Sequence, residues 1–226
     1  MKAWATGIFV VGMVVQGCLP PEEEVVEVSV QTAEEPEEKV EWNSLVPEEG
    51  DGDWAVAQFG GEGEAGWKDG VMSMRRGVEL TGMRWDGDLP TGPYEIRLEA
   101  RKTLGDDFFC GLTVPVRGEE VCVTLIVGGW GGGTVGISSI DGMDASEGNG
   151  TTTFRNFERD QWYAIRMEVR ENHLKAWIDD EEILSEDTTG RRIGLKAGMI
   201  DLCAPLGVAS FQTDVELRGL EWRKLE

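Results

Sequence analysis

The stretch between Gln161 and Thr189 constrains the fold most, because its apolar pattern, its turn and its pairing register agree. It reads QWYAIRMEVRENHLKAWIDDEEILSEDT, and its apolar residues alternate with polar ones as in half-buried β-strands. A two-residue turn at Glu171-Asn172 predicts a hairpin in this register, whereas a shift of one residue would destroy it. The predicted apolar pairs are Val169 with Leu174, Met167 with Ala176 and Ile165 with Ile178; the predicted polar-face pairs are Glu168 with Lys175 and Arg166 with Trp177.

Similar alternation recurs along most of the chain after Trp42, and no helical stripe of useful length occurs. The 31 glycines imply many turns. We therefore predict one all-β sandwich domain over 42–226, with roughly ten to thirteen strands. The segments predicted as strands include 71–74, 94–100, 108–116, 121–127, 193–195, 207–212 and 215–223.

The first 17 residues have the layout of a secretory signal peptide. Lys2 is followed by an apolar run over 8–15, too short to span a bilayer, and then by small or polar residues before Cys18. The ending Val15-Gln16-Gly17-Cys18 is similar to a bacterial lipobox, which predicts that Cys18 is lipidated after cleavage; simple secretion is the alternative. Both predict an extracytoplasmic location. With lipidation the protein would belong to the cell envelope and contact the membrane through its lipid anchor only.

An acidic segment, residues 18–41, follows this signal. It is rich in Glu and Pro and buries too little apolar surface to offset its ordering entropy, so we predict a disordered tether. Residues 18–53 hold 13 acidic side chains and one basic one, which is −12 of the formal charge of −22. A chain of this charge predicts no nucleic-acid partner.

Four segments of 42–226 carry a resemblance to a known family. They read WKDGVMSMRRGVELTGMRW, YEIRLEARKTLGDDFFCGL, QWYAIRMEVRENHLKAWIDDEEI and PLGVASFQTDVELRGLEWRKL, in this order. The chain resembles the bacterial 3-keto-disaccharide hydrolase-like domains, which are relatives of the laminin-G and concanavalin-type sandwiches. The resemblance implies a concanavalin-like jelly-roll of two antiparallel sheets, an extracytoplasmic location and carbohydrate as the ligand.

The resemblance also implies roles for single residues. Glu99 and Arg101 match a Glu-x-Arg on the family's corresponding strand. Gln212 matches a glutamine that His-Gly follows in the family, and we predict that Gln212 binds substrate. Thr213-Asp214 replaces that His-Gly here. The implied reaction removes the C2 proton of a sugar with a ketone at C3, expels the C1 leaving group and adds water. The resemblance singles out Glu99 and Arg101 as catalytic, and we add Asp144 and Glu147, from an acidic loop further along the chain, as predicted catalytic carboxyl groups.

A glycine-rich loop is the most distinctive stretch for ligand binding. Six glycines lie from Gly128 to Gly136, with Trp130 among them. Glycine permits positive φ and close backbone approach, so an exposed Trp130 could stack on a sugar face. The alternative is a bulged strand corner with Trp130 folded back on the core. A phosphate loop is excluded because the Gly-Lys-Ser/Thr ending is missing.

The acidic loop DGMDASEGN follows at once. Hard oxygen ligands at short spacing suit Ca²⁺, so Asp141, Asp144 and Glu147 are predicted to bind calcium, beside Asn149, at a spacing unlike that of an EF-hand. Two of the carboxyl groups could instead serve as acid and base around a glycosidic bond. The third alternative is a set of solvated turn acids, with Asp144 or Ser146 capping a short helical turn.

Side chains of alternating charge share one face of the strand at 94–101. Acids two residues apart on this face are roughly 7 Å apart, which suits paired carboxyl chemistry, but alternating charges also make an ordinary solvated face. On the central hairpin, Trp177 beside Arg166 either forms a sugar-binding platform or packs under a loop.

The single histidine and the cysteines exclude some chemistry. His173 lies at the hairpin turn, so His-based triads and multi-His zinc sites are excluded. A turn at Arg117-Gly118 sets Cys110 opposite Leu125, so a disulfide with Cys122 would need a bulge or a longer loop. We therefore predict free, buried thiols at Cys110, Cys122 and Cys203.

Two function classes remain open from sequence. One is an envelope-anchored enzyme that cleaves 3-keto or ordinary glycosides, favoured by the retained Glu-x-Arg and the resemblance. The other is a non-catalytic carbohydrate-binding or adhesion module, favoured by the missing His-Gly and the absence of a compact catalytic motif. A purely structural envelope protein is a third alternative.

Overall fold

The chain folds into two antiparallel β-sheets that pack face to face, which confirms the predicted all-β sandwich. The computed structural model describes residues 41–196 and 200–226. The predicted signal peptide (1–17), the lipidation site Cys18 and all of the acidic segment except Glu41 lie outside the described residues. No helix within the described ranges has the length and apolar composition that crossing a membrane requires.

The described residues contain fifteen strands and three short helical segments. The helical segments are an irregular turn at Gly129–Gly132 and the 3-10 turns η1 (Ala145–Glu147) and η2 (Ile200–Cys203). The strands are β1 (Asn43–Ser44), β2 (Trp54–Val56), β3 (Ala65–Lys68), β4 (Val71–Met74), β5 (Leu80–Trp85), β6 (Tyr94–Leu104), β7 (Cys110–Pro115), β8 (Cys122–Gly128), β9 (Thr134–Ser138), β10 (Thr153–Phe154), β11 (Tyr163–Arg170), β12 (His173–Ile178), β13 (Glu181–Asp187), β14 (Gly207–Phe211) and β15 (Asp214–Lys224).

Strands that are distant in sequence become neighbours in both sheets. Sheet 1 has the order β13-β12-β11-β6-β15-β4-β3, with β1 paired to β15. Sheet 2 has the order β10-β9-β8-β7-β14-β5-β2. The pairing of β6 with β11 and β15, and of β7 with β14, gives the long crossing connections of a jelly-roll.

The central hairpin has the predicted register. β11 and β12 pair so that Ile165 faces Ile178, and the other four predicted pairs are also observed, around the turn at Glu171-Asn172. The facing charges Glu168 and Lys175 do not form an ion pair, since Arg170 binds the Glu168 carboxylate at 2.6 Å. The register is therefore set by the turn and the apolar face rather than by this charge pair.

One apolar core fills the space between the sheets. Alternate residues of the hairpin, including Ile165 and Met167, are fully buried there. Three aromatic rings meet within it: Phe157 makes edge contacts with Phe109 and Tyr163, at centroid distances of 5.1 and 5.0 Å. The alternation that buries one side chain turns the next one outward, so each sheet also has an outer face.

The outer face of sheet 2 carries a second, smaller apolar cluster. It contains Ile126 from β8 and is covered in part by Ile200 and Cys203 of η2. Glycines on sheet 2 allow the 3-10 turns η1 and η2 to pack closely against its outer face. A Cβ atom on Gly111 would lie 2.9 Å from the Ile200 Cδ1 atom, and one on Gly136 would lie 2.7 Å from the Ala145 Cβ atom.

Two local predictions were wrong, and one about the cysteines is confirmed. Cys110 faces Val127 rather than Leu125, because the loop between β7 and β8 is longer than two residues. The segment 193–195 contributes only a single bridge, from Ile193 to Ile140, instead of a strand. The thiols of Cys110, Cys122 and Cys203 are free and buried, as predicted.

Candidate functional site

An open cleft of about 200 Å³ lies on the outer face of sheet 2, beside the segments that cover that face. We call it the Trp130 cleft. Strands β5, β8 and β14 supply its apolar floor, and the irregular turn before β9 supplies one wall. Its apolar lining residues are Leu80, Phe108, Ile126, Trp130, Ile200 and Phe211.

Trp130 forms a wall of this cleft, and the turn Gly129–Gly132 positions it. Trp130 has a φ of 47° and Gly131 a φ of 91°, left-handed values that a bulky side chain rarely adopts. The Asp107 carboxylate holds the turn by accepting hydrogen bonds from the backbone N–H groups of Trp130 at 3.1 Å and Gly131 at 3.3 Å. The indole is 44% exposed, so it lies at the surface rather than folded back on the core.

Asp144 forms the polar end of the cleft. It is only 6% exposed, and its carboxylate accepts hydrogen bonds from the Ser138 hydroxyl at 2.5 Å and the Lys196 ammonium at 2.7 Å. The hydrogen bond and the charge of Asp144 raise the pKa of Lys196, which is therefore protonated at neutral pH. The Lys196 side chain is half exposed, and an ammonium has three N–H donors, so it can also bind a ligand.

The cleft combines an apolar floor with few polar groups. The rings of Phe108 and Phe211 lie 6.0 Å apart on that floor, tilted by 31°. The Asp144–Lys196 pair lies at one end, and Trp130 stands at the wall. This arrangement suits a small ligand that has a flat apolar face and hydrogen-bonding groups along its edge.

The three residues predicted to bind calcium, Asp141, Asp144 and Glu147, have different hydrogen-bond partners. The Asp141 carboxylate accepts hydrogen bonds from the backbone N–H of Arg192 at 2.9 Å and from the Arg191 guanidinium at 2.6 Å, and these bonds lower the pKa of Asp141. Glu147 accepts the backbone N–H of Asp144 at 2.7 Å, and Asp144 is the N-cap residue of η1. Among the described residues, no three His, Cys, Asp or Glu side chains are placed to hold a metal ion, so the predicted calcium site is not assembled.

The predicted catalytic residues are divided between the two outer faces of the sandwich. On sheet 1, Glu99 accepts a hydrogen bond from Arg218 at 2.7 Å, and Arg101 binds Glu216 at 2.5 Å. The apolar core separates this face from the face of sheet 2. The prediction that the four residues act together is therefore corrected. They are Glu99 and Arg101 on β6 of sheet 1, and Asp144 and Glu147 around η1 beside sheet 2.

A second cleft, of about 400 Å³, lies on the outer face of sheet 1, and we call it the Trp177 cleft. The Arg166 guanidinium lies 3.7 Å from the centroid of the Trp177 ring. Ala164 and Gly219 also line the cleft, and their small size leaves the space open between larger side chains. The charged lining residues are Arg97, Glu99, Arg166, Asp179, Asp180 and Glu221.

Gln212, predicted to bind substrate, is among the lining residues of neither cleft. It lies in the turn between β14 and β15 with a φ of 46°. Its side-chain amide donates a hydrogen bond to the backbone oxygen of Val78 at 2.9 Å. The side chain therefore links two loops.

Three polar residues that line the Trp130 cleft were not predicted from the sequence: Asp107, Ser138 and Lys196. Asp107 stands in a turn before β7, a position where an acidic side chain often accepts backbone N–H groups, so its neighbourhood offered a weak signal. Lys196 lies in an irregular segment, and no local pattern marks it. Only tertiary packing brings it to Asp144.

No family model matches this sequence, and no curated protein matches it. Solved structures do match. One is the carbohydrate binding module CBM66 from Bacillus subtilis, which is 8% identical with a TM-score of 0.51 over 76% of this chain and 96% of its own. Another is the VIP36 exoplasmic/lumenal domain in its Ca²⁺/Man2-bound form, which is 11% identical with a TM-score of 0.50 over 76% of this chain and 81% of its own. At such identities the likeness shows the fold alone, and the resemblance to 3-keto-disaccharide hydrolase-like domains stays a prediction.

Proposed function

We propose that this chain is a carbohydrate-binding β-sandwich domain of the cell envelope, and that a sugar ring binds in the Trp130 cleft. One observation carries the proposal: the Asp107 carboxylate holds an exposed tryptophan in a left-handed conformation beside an apolar cleft. Such a conformation costs about 1–3 kcal/mol and is concentrated at ligand sites. Apolar packing does not account for it, because the indole is half exposed.

The chemistry of the cleft matches the chemistry of a pyranose. A sugar ring has apolar C–H faces that stack on an indole, and its hydroxyl groups both donate and accept hydrogen bonds at the ring edge. Trp130 would take the face of the ring. Asp144 would accept from a hydroxyl, and Lys196 would donate to one, since each retains hydrogen-bonding capacity beyond their mutual bond.

The fold supports the same class of ligand. One solved domain that shares it is named a carbohydrate binding module, and another was solved in a Man2-bound form. These names describe those proteins. They agree with the chemistry that the Trp130 cleft offers independently.

A glycan array with the full chain and two variants tests the proposal. We expect the full chain to bind a defined set of glycans and Trp130→Ala to lose about tenfold or more in affinity for them. Phe154→Ala is the matched control, because Phe154 is an aromatic residue that is 77% exposed and lines neither cleft. Binding that survives Trp130→Ala unchanged, or no glycan bound by the full chain, would overturn the proposal.

Hydrolysis of 3-keto disaccharides is the alternative function, and two carboxylates in one cleft favour it. Asp107 and Asp144 both line the Trp130 cleft, whereas Glu99 lies on the other face. The discriminating assay incubates the chain with a 3-keto disaccharide and with its unoxidised parent. A binding domain releases no monosaccharide from either. Release from the keto compound, abolished in Asp144→Asn and unchanged in Glu99→Gln, would establish the enzyme and locate it.

We also propose that Cys18 carries a lipid that anchors the domain outside the cytoplasm. The sequence of residues 1–18 supports this, and the acidic segment up to residue 41 would act as the tether. Expression in a bacterial host followed by detergent phase separation tests it. We expect the wild-type chain in the detergent phase and Cys18→Ser in the aqueous phase, and an aqueous wild-type chain would contradict lipidation.

A further inference from the structure

The outer face of sheet 1 holds an unusual set of stacked aromatic and cationic side chains. Besides Trp177, two more indoles lie against guanidinium groups on this face. Trp42 has Arg97 at 3.8 Å and Arg223 at 4.8 Å from its ring centroid. Trp162 has Arg218 at 4.1 Å and Arg101 at 4.6 Å from its own. This face therefore presents planar groups in fixed positions rather than mobile solvated charges.

The Trp177 cleft opens within this set because its floor has small side chains. Ala164 on β11 lies opposite Glu99, and Gly219 lies where the pairing of β15 with β6 is interrupted by an irregularity. Within the described part of the chain, a Cβ atom on Gly219 would meet no other atom within 4 Å. Irregularities of this kind redirect side chains and are common beside binding sites.

Two cationic and four anionic side chains line the cleft, and Arg218 and Arg155, from outside the lining, pair with two of the acids. Glu221 binds Arg97 at 2.5 Å, Glu99 binds Arg218 at 2.7 Å, and Asp179 binds Arg155 at 2.5 Å. Arg166 lies 3.3 Å from the buried Glu95. Asp180 makes no ion pair with another described residue. A cleft of paired charges does not select an ion, yet it offers many donors and acceptors to a neutral ligand.

We infer that the Trp177 cleft is a second carbohydrate-binding site, on the face of the sandwich opposite the Trp130 cleft. A neutral polyhydroxylated ring fits its chemistry, since guanidinium groups donate to hydroxyl oxygens, carboxylates accept from hydroxyl groups, and the partly exposed indole of Trp177 offers an apolar surface. The inference takes its class of ligand from the proposed function but stands on a different set of residues.

The opposite placement of the two clefts has a consequence for the ligand. The two clefts open away from each other across both sheets and the core, so they cannot hold adjacent rings of one short oligosaccharide. Two separate glycan chains, or two distant branches of one, would occupy them. The domain would then bridge glycans without forming a dimer.

The two sites can be observed separately through their indole N–H groups. The full chain, labelled with ¹⁵N-tryptophan, is titrated with methyl α-mannopyranoside, methyl β-glucopyranoside and N-acetylglucosamine, and the two resonances are assigned with Trp130→Phe and Trp177→Phe. We expect both resonances to shift, each with its own dissociation constant. Ala164→Leu should fill the floor of the Trp177 cleft and weaken the Trp177 response about tenfold or more, while the Trp130 response stays unchanged.

A control variant and the pattern of indole shifts together test each of the two sites separately. Lys68→Leu adds an exposed leucine to β3, at the far edge of the same sheet, and should change neither response. A shift of Trp130 alone, or a Trp177 response that Ala164→Leu leaves intact, would overturn the second site and leave the proposed function standing. A shift of Trp177 alone would support the second site and contradict the Trp130 site. No shift of either indole would overturn both.

Discussion

The Arg166 guanidinium stacks on the Trp177 ring at 3.7 Å and also reaches the Glu95 carboxylate at 3.3 Å. Glu95 is only 3% exposed, and its other cationic partner is Arg223, at 3.1 Å. A buried carboxylate depends on such partners, because burial without them is costly. Arg166 thus couples the wall of one cleft to a buried charge in the middle of sheet 1.

We expect Arg166→Ala to lower the free energy of unfolding by about 1–3 kcal/mol, through loss of the stacking and of one partner of Glu95. Arg223 remains in the variant, which keeps the cost below that of a fully unpaired buried charge. Arg170→Ala is the control, because its ion pair with Glu168 is partly solvated and should contribute at most about 1 kcal/mol. Urea unfolding of both variants measures the difference, and equal losses would contradict the role given to Arg166.

The close approach at Gly136 should make that glycine hard to replace. A Cβ atom there would lie 2.7 Å from the Ala145 Cβ atom, which is part of a buried residue and cannot move aside. We expect Gly136→Ala to destabilise the chain by about 1–3 kcal/mol and to weaken glycan binding, because it displaces η1 and Asp144. Gly194→Ala is the matched control, since a Cβ atom there meets no atom of the described residues within 4 Å and its φ is ordinary. A similar melting temperature for the two variants would contradict the packing argument.

The buried thiols should make stability depend on pH in the alkaline range. Burial raises the pKa of Cys110 and of Cys203 to about 12, whereas an unfolded cysteine titrates near about 8.5. The folded chain therefore keeps protons that the unfolded chain loses, so stability is full below about pH 8.5 and falls as pH rises towards 12. At pH 10 each thiol should cost roughly 2 kcal/mol relative to pH 8.

Guanidinium unfolding at pH 8 and pH 10 measures this loss. Cys110→Ala should reduce the difference between the two pH values, because it removes one of the titrating groups and adds no volume to the core. A disulfide reagent at pH 8 should leave Cys110, Cys122 and Cys203 unmodified in the folded chain and modify all three after unfolding. Rapid modification of the folded chain at any of these positions would contradict their burial.

The central hairpin shows what could be predicted from sequence. Its register depends on a two-residue turn and on a period of two, and both are local, so Val169 faces Leu174 and Ile165 faces Ile178 as predicted. The β7–β8 hairpin has a longer loop, and local pattern alone placed Cys110 opposite the wrong residue. The length of the loop between two strands therefore limits how well their pairing register can be predicted from sequence.

The site shows what could not be predicted. Alternation indicates that Glu99 points away from the core, but it does not indicate which sheet β6 joins. Glu99 and Asp144 were therefore grouped together although the core separates them. Asp144 and Lys196 meet only because residues 188–196, which follow β13 without regular structure, bring Lys196 to the outer face of sheet 2. The alternation of apolar and polar residues in the sequence does not indicate a contact between such distant residues.

Asp107 should control the conformation of the turn that carries Trp130, and therefore the shape of the Trp130 cleft. Its carboxylate accepts the backbone N–H groups of Trp130, Gly131 and Phe108, the last at 2.7 Å. We expect Asp107→Ala to lower the free energy of unfolding by about 0.5–1.5 kcal/mol, because the hydrogen bonds are lost but the exposed N–H groups of Trp130 and Gly131 can bind water instead. The turn should then relax from its left-handed conformation, and glycan affinity should fall about tenfold or more.

The adjacent residue supplies the control for this experiment. The side chain of Asp106 is 85% exposed and lies 4.0 Å from Arg159, so Asp106→Ala removes the same charge without affecting the turn. Its stability and its glycan binding should match those of the wild-type chain. Near-ultraviolet circular dichroism reports the Trp130 environment in both variants. If Asp106→Ala and Asp107→Ala weaken binding equally, the effect is one of net charge, and the positioning of Trp130 by Asp107 is refuted.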